Sequence, residues 1–422
     1  MVKANENIME NWKRNSILFL GSQMISLFGS SLVQYAIMWY VVLNSQSGIM
    51  MTVYILCGFI PTFILSPFAG VWADRFNRKK LIIISDTSIA AATFILALVF
   101  LMGYDSFWLM FVVAAVRALG TGVQTPAVGA ILPQFVPEDK LTKVNGANGS
   151  IQALVMLLAP MASGALLGLA SIEIIFFIDV ITAAIAILIL IVFLHIPSHK
   201  KASTNETISY FDDLKKGFQY INNHRFLKKF FLFFSLFFIL AAAPSFLTPL
   251  QVARSFGDDV WRLTAIEVAF SIGMIIGGFV IASWGGFKNK IYTMTLASFM
   301  FGILTVGLGT IPHFGMYLAL MGITGVTMPL FSTPSTTLLQ EKVAPDFLGR
   351  VFGVVGMIST SMMPLGMLIF GPIADVIAIE WLLIGTGIFM FIAGFFLIGS
   401  KVLVNAGRPL DVDRGEANEH YN

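Results

Sequence analysis

Gly70-Val71-Trp72-Ala73-Asp74-Arg75-Phe76-Asn77-Arg78-Lys79-Lys80 is a cation-rich loop between two long apolar runs, with a weaker echo in Trp284-Gly285-Gly286-Phe287-Lys288-Asn289-Lys290. The copies lie 212 residues apart. A second pair agrees: Thr125-Pro126 precedes Pro137-Glu138-Asp139 by the same twelve residues that separate Thr333-Pro334 from Pro345-Asp346, at an offset of 208. Such a repeat predicts two similar halves, each beginning with a pair of apolar segments joined by a basic loop.

On either side of these loops lie apolar stretches of about 20 residues or more, the length of helix that crosses a bilayer core. Twelve such stretches lie near 16–43, 49–72, 81–103, 107–132, 145–170, 172–194, 226–251, 263–285, 291–311, 314–340, 351–377 and 380–402. Helix is the expected state because a peptide group in hydrocarbon must bond within its own segment. Composition agrees: of 422 residues 57% are hydrophobic and 12% charged, far more apolar surface than one soluble core can bury. The first apolar stretch is too long for a signal-peptide core and lacks a small-residue cleavage site, so it is expected to remain as the first span.

The cations set the expected orientation. All 26 Lys and Arg except Arg117, Arg254 and Arg262 fall in the termini, in the alternate loops containing Arg75 to Lys80, Lys140, Lys200 to Arg225, Lys288 and Lys342 to Arg350, or within a few residues of them at span ends. The positive-inside rule makes those segments cytoplasmic, with both termini among them. Trp12, Trp72 and Trp284 then mark the inner boundary, and Trp108, Trp261 and Trp381 the outer. Six spans per half put both copies in the membrane in the same direction, related by an axis along its normal. The expected organisation is an N-terminal six-helix bundle at 1–195, a linker at 196–225, a C-terminal six-helix bundle at 226–402 and a tail at 403–422. The linker stretch Tyr210 to Phe218 has two open readings, a short amphipathic helix at the inner interface or a solvated connector.

Polar residues inside the spans are the candidate functional groups. Arg117 lies about ten residues into its span, near the midplane at ~1.5 Å per residue, where a lone cation is costly. Asp179 and Glu267 are the acids expected to carry protons, since a carboxyl in low dielectric titrates nearer neutrality. Asp86 is expected to belong with Asp74 at the inner face, and Asp375 to be solvated at the outer end of its span. Gln23, Ser26, Ser30 and Gln34 are spaced to share one helical face. With Arg117, Thr121 and Gln152 they line a wet cavity or serve as hydrogen-bonding glue between helices; both readings are open. Phe234, Phe238 and Met363 are drawn from a dense Phe run and a Met cluster as adaptable apolar contacts for a substrate, although most of that run is expected to face lipid or neighbouring helices.

Several functions find no support. There is no phosphate-binding loop ending in Gly-Lys-Ser/Thr and no His-Glu-x-x-His. Cys57 is the single cysteine, so neither a disulfide nor a thiol metal cluster can form. His195, His199, His224, His313 and His420 sit at span ends, in loops or in the tail. No cofactor, metal, enzymatic chemistry or nucleic-acid partner is expected, and the net charge is only +3.

Over nearly its whole length the chain resembles the macrolide-efflux (Mef-type) branch of the major facilitator superfamily. The stretches that carry the resemblance include Asn11-Trp12-Lys13-Arg14, Gly58-Phe59-Ile60-Pro61, Asp74-Arg75 with Arg78-Lys79-Lys80, Arg117 with Gly120-Thr121, Thr125-Pro126-Ala127, Ile178-Asp179-Val180, Glu267 with Phe270 and Gly273, and Leu348-Gly349-Arg350. The resemblance implies an all-α major facilitator fold with twelve transmembrane helices in two pseudo-symmetric bundles. It implies that Gly70, Asp74, Arg75 and Arg78, with Asp86, form an inner gate, although the three cations of Arg78-Lys79-Lys80 also serve simply to fix topology. Asn77 stands where the family usually has Gly, and Asn tolerates the left-handed backbone of a tight turn. Arg117 followed by spaced Gly is similar to a family pattern associated with proton transfer; a structural ion pair is the other reading.

The implied activity is proton-coupled efflux of amphipathic drugs, macrolides among them, across the bacterial cytoplasmic membrane, giving antibiotic resistance. The expected partners are a small amphipathic substrate, protons and the bilayer. Oligomeric state is left open, with function as a monomer expected. Export of a siderophore or lysolipid on the same fold, or a sensor or scaffold without turnover, are the rivals.

Overall fold

In the computed structural model of the chain, the residues described are 11–194 and 210–408. They form α1 (Trp12–Ser45), α2 (Gly48–Arg75), α3 (Arg78–Leu101), α4 (Phe107–Ile131), α5 (Leu141–Leu169), α6 (Ile172–Val192), α7 (Tyr210–Asn223), α8 (Arg225–Phe246), α9 (Thr248–Ser255), α10 (Val260–Trp284), α11 (Lys290–Thr310), α12 (Phe314–Lys342), α13 (Pro345–Ile373), α14 (Ile379–Gly399) and α15 (Lys401–Ala406). Twelve of the segments are long and apolar enough to cross a membrane, and no strand occurs among the described residues. The seventh span, expected near 226–251, runs Arg225–Ser255 and is made of two helices: Pro244 lies inside α8, the helix closes at Phe246, and α9 restarts with Pro249 in its first turn. Proline lacks the N–H that would carry the ladder across Leu247.

The repeated loop motif has a structural counterpart. Asn77 is the N-cap of α3 and its side chain accepts from Lys80 N; Asn289, its echo, is the N-cap of α11 and accepts from Ile291 N. Each asparagine thus satisfies one of the free N–H groups of a helix start. The left-handed turn expected of Asn77 is not there. Its φ of −66° and ψ of 111° are extended, because capping, rather than turning, is what the position requires.

The chain divides into two compact units, one of residues 11–45, 53–194 and 259–264, the other of 46–52, 210–258 and 265–408. In the first, α1 packs on α5 and α6, and α3 on α4 and α6. In the second, α11 packs on α12 and α14, and α13 on α7 and α8. Lipid tails are as apolar as the side chains, so these contacts gain mainly by close packing. Large apolar residues such as Ile84, Trp108, Ile185, Phe279 and Phe389 accordingly remain exposed on the outside of the helices.

The Phe run of α8 lies in the core of the second unit. Phe230, Phe231, Phe233, Phe234 and Phe237 are all buried, and Phe237 stacks on Phe331 of α12 at 4.2 Å and 11°. These rings therefore face neighbouring helices and not lipid. The linker stretch is helical as α7, and Tyr220 stacks on Phe347 of α13 at 4.2 Å. The side chains of 210–215, and the tail beyond 408, lie outside the described residues.

Candidate functional site: a two-layer polar network

Three helices of the first unit each bring two polar side chains to the same region. On α1 these are Ser26 and Ser30, four residues apart; on α3, Asp86 and Thr93, and on α4, Arg117 and Gln124, seven apart in each case. Spacings of four and seven keep a pair on one helical face. The result is two stacked layers.

In one layer, Asp179 of α6 is fully buried and its Oδ2 meets Arg117 Nη1 at 2.5 Å. Thr93 Oγ1 donates to the same oxygen at 3.0 Å and accepts from Arg117 Nη1. Ser30 Oγ donates to Asp179 Oδ1 at 3.3 Å, and Arg117 Nη2 donates to the Ser30 carbonyl at 3.0 Å. The guanidinium is thus met on more than one side, as a charge in low dielectric requires. In the other layer, Asp86 Oδ1 accepts from Ser26 Oγ at 2.9 Å and from Gln124 Nε2 at 2.7 Å. No cation pairs with Asp86 among the described residues.

Helix approach at this point depends on missing side chains. A Cβ on Gly29 would run into the Thr182 side chain and come within 3.2 Å of Asp179 Cα, so glycine lets α1 reach α6 beside the carboxylate. Gly120 likewise leaves room for Ile89, drawing α4 onto α3.

Measured against the sequence expectations, the cavity set separates. Gln23, Ser26 and Arg117 are 8%, 3% and 9% exposed, within the helix packing and not on an open wall. Ser30 is half-buried, whereas Gln34, Thr121 and Gln152 are exposed. Phe234 belongs to the aromatic core, Phe238 is half-buried against it at 4.7 Å, and Met363 is half-buried on α13. Arg117 and Asp179 are brought together. Glu267 of α10 lies in the second unit, half-buried, with no hydrogen bond or ion pair among the described residues.

The residues of the basic loop are held to helix ends. Arg78 donates from Nε to the Ala73 carbonyl at 2.8 Å and from Nη1 to Ala130 at 2.6 Å; Lys79 Nζ donates to Leu194 at 2.7 Å. Cations suit such carbonyl-rich C-terminal turns. Arg75 is exposed at the end of α2, Gly70 has open space where a Cβ would stand, and the side chain of Asp74 lies outside the described set. Asp86 is found with Ser26 and Gln124. Thr93 went unnoticed in the sequence, although its place seven residues after Asp86 is a readable signal.

Asp375 is exposed, as expected of an acid at the outer end of its span, and it has a further role. It caps the start of α2, accepting from Gly48 N at 2.7 Å, Ile49 N at 3.0 Å and Ser47 Oγ at 2.8 Å, and it pairs with Arg254 at 2.8 Å. Partial burial pushes its carboxyl up, but those hydrogen bonds outweigh the burial and hold it below the usual carboxylate range. The free N–H groups of a helix start attract an anion, which is why the loop acid folds back.

The profile of the family described as Major Facilitator Superfamily matches residues 19–367. Macrolide efflux protein A of Streptococcus pyogenes is 30% identical over 386 residues, covering 91% of this chain and 95% of that protein. The Staphyloferrin A transporter of Staphylococcus aureus is 24% identical, covering 86% of this chain and 90% of that one. Among solved structures, a bacterial homologue of the iron transporter ferroportin superposes with a TM-score of 0.69 at 15% identity, over 92% of this chain and 98% of that one, a likeness of fold. With twelve segments able to span a membrane and these matches over most of its length, the chain belongs to the Major Facilitator Superfamily as a Mef-type membrane transporter, not an enzyme.

Proposed function

We propose that this transporter exports amphipathic drugs, macrolides among them, across the bacterial cytoplasmic membrane in exchange for protons, by alternating access. The observation that carries the reading is the buried Arg117–Asp179 pair: an intramembrane charge is costly to keep unless it serves an ion or substrate pathway. The likeness to a macrolide efflux protein over most of both chains supports the substrate class. Asp179 can exchange a proton only when Arg117 leaves it. Glu267, without an ion pair among the described residues, has no such restraint and is the other proton-linked acid. Both termini are cytoplasmic in this reading, on the strength of the cation distribution along the chain. Asp74 and Arg75 act at the inner gate, on the strength of their motif alone. Movement of a siderophore is the second reading, favoured by the likeness to the Staphyloferrin A transporter.

Macrolide accumulation in cells with and without the protein, each with and without a protonophore, tests this. Lower accumulation that returns to the control level with protonophore is expected. Accumulation unaffected by the protein removes the drug, and a reduction indifferent to protonophore removes the proton.

A further inference from the structure

The layer around Asp86 holds a buried acid with no cation. Asp86 is 2% exposed, and both of its donors converge on Oδ1. Oδ2 is buried without a hydrogen-bond partner among the described residues, and so is Nε2 of Gln23, one turn before Ser26 on α1. A carboxylate spreads its charge over both oxygens, and an unpaired anionic oxygen away from water is strongly unfavourable. A carboxylic acid has a carbonyl oxygen that accepts two hydrogen bonds and a hydroxyl oxygen that accepts none of necessity. Two donors on Oδ1 and none on Oδ2 fit the acid better than the carboxylate, because an unpartnered neutral hydroxyl costs less to bury than an unpartnered anionic oxygen.

The charged groups on the packed helices do not alter this. α1 offers Ser26 and α4 offers Gln124, both neutral. Arg117 of α4 and Asp179 of α6 are engaged with each other, and Arg117 is two turns from Gln124, about 10 Å along the helix.

We propose that Asp86 is a proton-exchange site of the first unit, in addition to the acids named above; this rests on the proton-coupled reading. With the layer closed, the proton sits on Oδ2. When the helices part and water enters, the O–H bond breaks, the proton passes to water, and the carboxylate left behind is met by that water. Return of a proton from the other side restores the acid. Ser26 and Gln124 are positioning residues that fix which oxygen carries it.

Two measurements separate this site from the transport reading. First, protons taken up by purified protein are counted by titration from about pH 8.5 to about pH 5.5, above the range in which an ordinary aspartate near 3.9 titrates. Wild type is expected to bind about one proton more than Asp86→Asn, and Asp86→Glu to match wild type. Equal uptake by wild type and Asp86→Asn overturns the site. If Asp86→Asn does not fold, the infrared carbonyl stretch of protonated aspartic acid in wild type labelled at aspartate decides: present at neutral pH it supports the site, and absent it overturns it. Second, uptake of radiolabelled erythromycin into proteoliposomes is driven by an imposed pH gradient. No gradient-driven uptake by wild type defeats the export reading while the proton count still judges Asp86. Gradient-driven uptake that persists unchanged in Asp86→Asn defeats Asp86 alone.

Discussion

Ser26 and Ser30, one turn apart on α1, bind different carboxyl groups: Ser26 donates to Asp86 at 2.9 Å and Ser30 to Asp179 at 3.3 Å. A single helix therefore holds both layers, and Gly29 stands between the two serines where α1 touches α6.

That contact predicts an asymmetry between glycines of α1. Gly29→Ala forces Cβ against Thr182 and is expected to destabilise the protein by about 1–3 kcal/mol, the usual range for overpacking. Gly21→Ala, with open space at the same atom, should leave stability unchanged or slightly higher. Thermal unfolding in detergent compares the two; equal melting points would disprove the close approach.

The buried ion pair should respond as a unit. Arg117→Met or Asp179→Leu alone leaves one charge buried and is expected to cost about 3–5 kcal/mol, while the double substitution should cost clearly less than the sum. A double-mutant cycle on unfolding free energies checks this, and additive losses would show that the pair is not coupled.

Phe234 separates core from substrate contact. Because it packs among Phe230, Phe238 and Phe331, Phe234→Ala should lose about 3–5 kcal/mol of stability. Phe234→Leu should keep the wild-type pattern of exported compounds. Resistance profiles that change with Phe234→Leu, at unchanged protein level, would instead put the ring in contact with substrate.

Asp375 gives a pH prediction. Its carboxyl is held below its ordinary 3.8 in the folded chain, so its stabilisation is fully present above that value and is lost as pH falls through the depressed folded range. Wild type should therefore lose stability on acidification below about pH 4 more steeply than Asp375→Asn, and above it should be the more stable of the two. Melting temperature against pH for both proteins decides; parallel curves would contradict the capping role.

Much of the architecture was legible one residue at a time. Span number and approximate limits followed from apolar runs, because a bilayer demands a fixed length of helix and tolerates few charges in it. Loop asparagines 77 and 289 announced a repeat, although their work as helix caps was not visible until backbone angles were known. Arg117 could be named as unusual from its depth alone.

Which acid answered Arg117 could not be read from the chain, since Asp179 is 62 residues away and on a helix that packs against α1 and α3. Nor could the orientation of the α8 rings, because a run so dense in Phe presents them on every side and only the neighbours of the helix decide which are core. Nor could the capping work of Asp375, expected only to be solvated at the outer end of its span, because the start of α2 lies 327 residues away in the chain. Sequence determined the membrane-spanning class, the spans and the unusual charges, all properties of short segments against a uniform solvent. Tertiary structure alone decided which polar groups are paired and which acids are left without a cation, because hydrogen bonds depend on ångström distances between helices that no local pattern encodes.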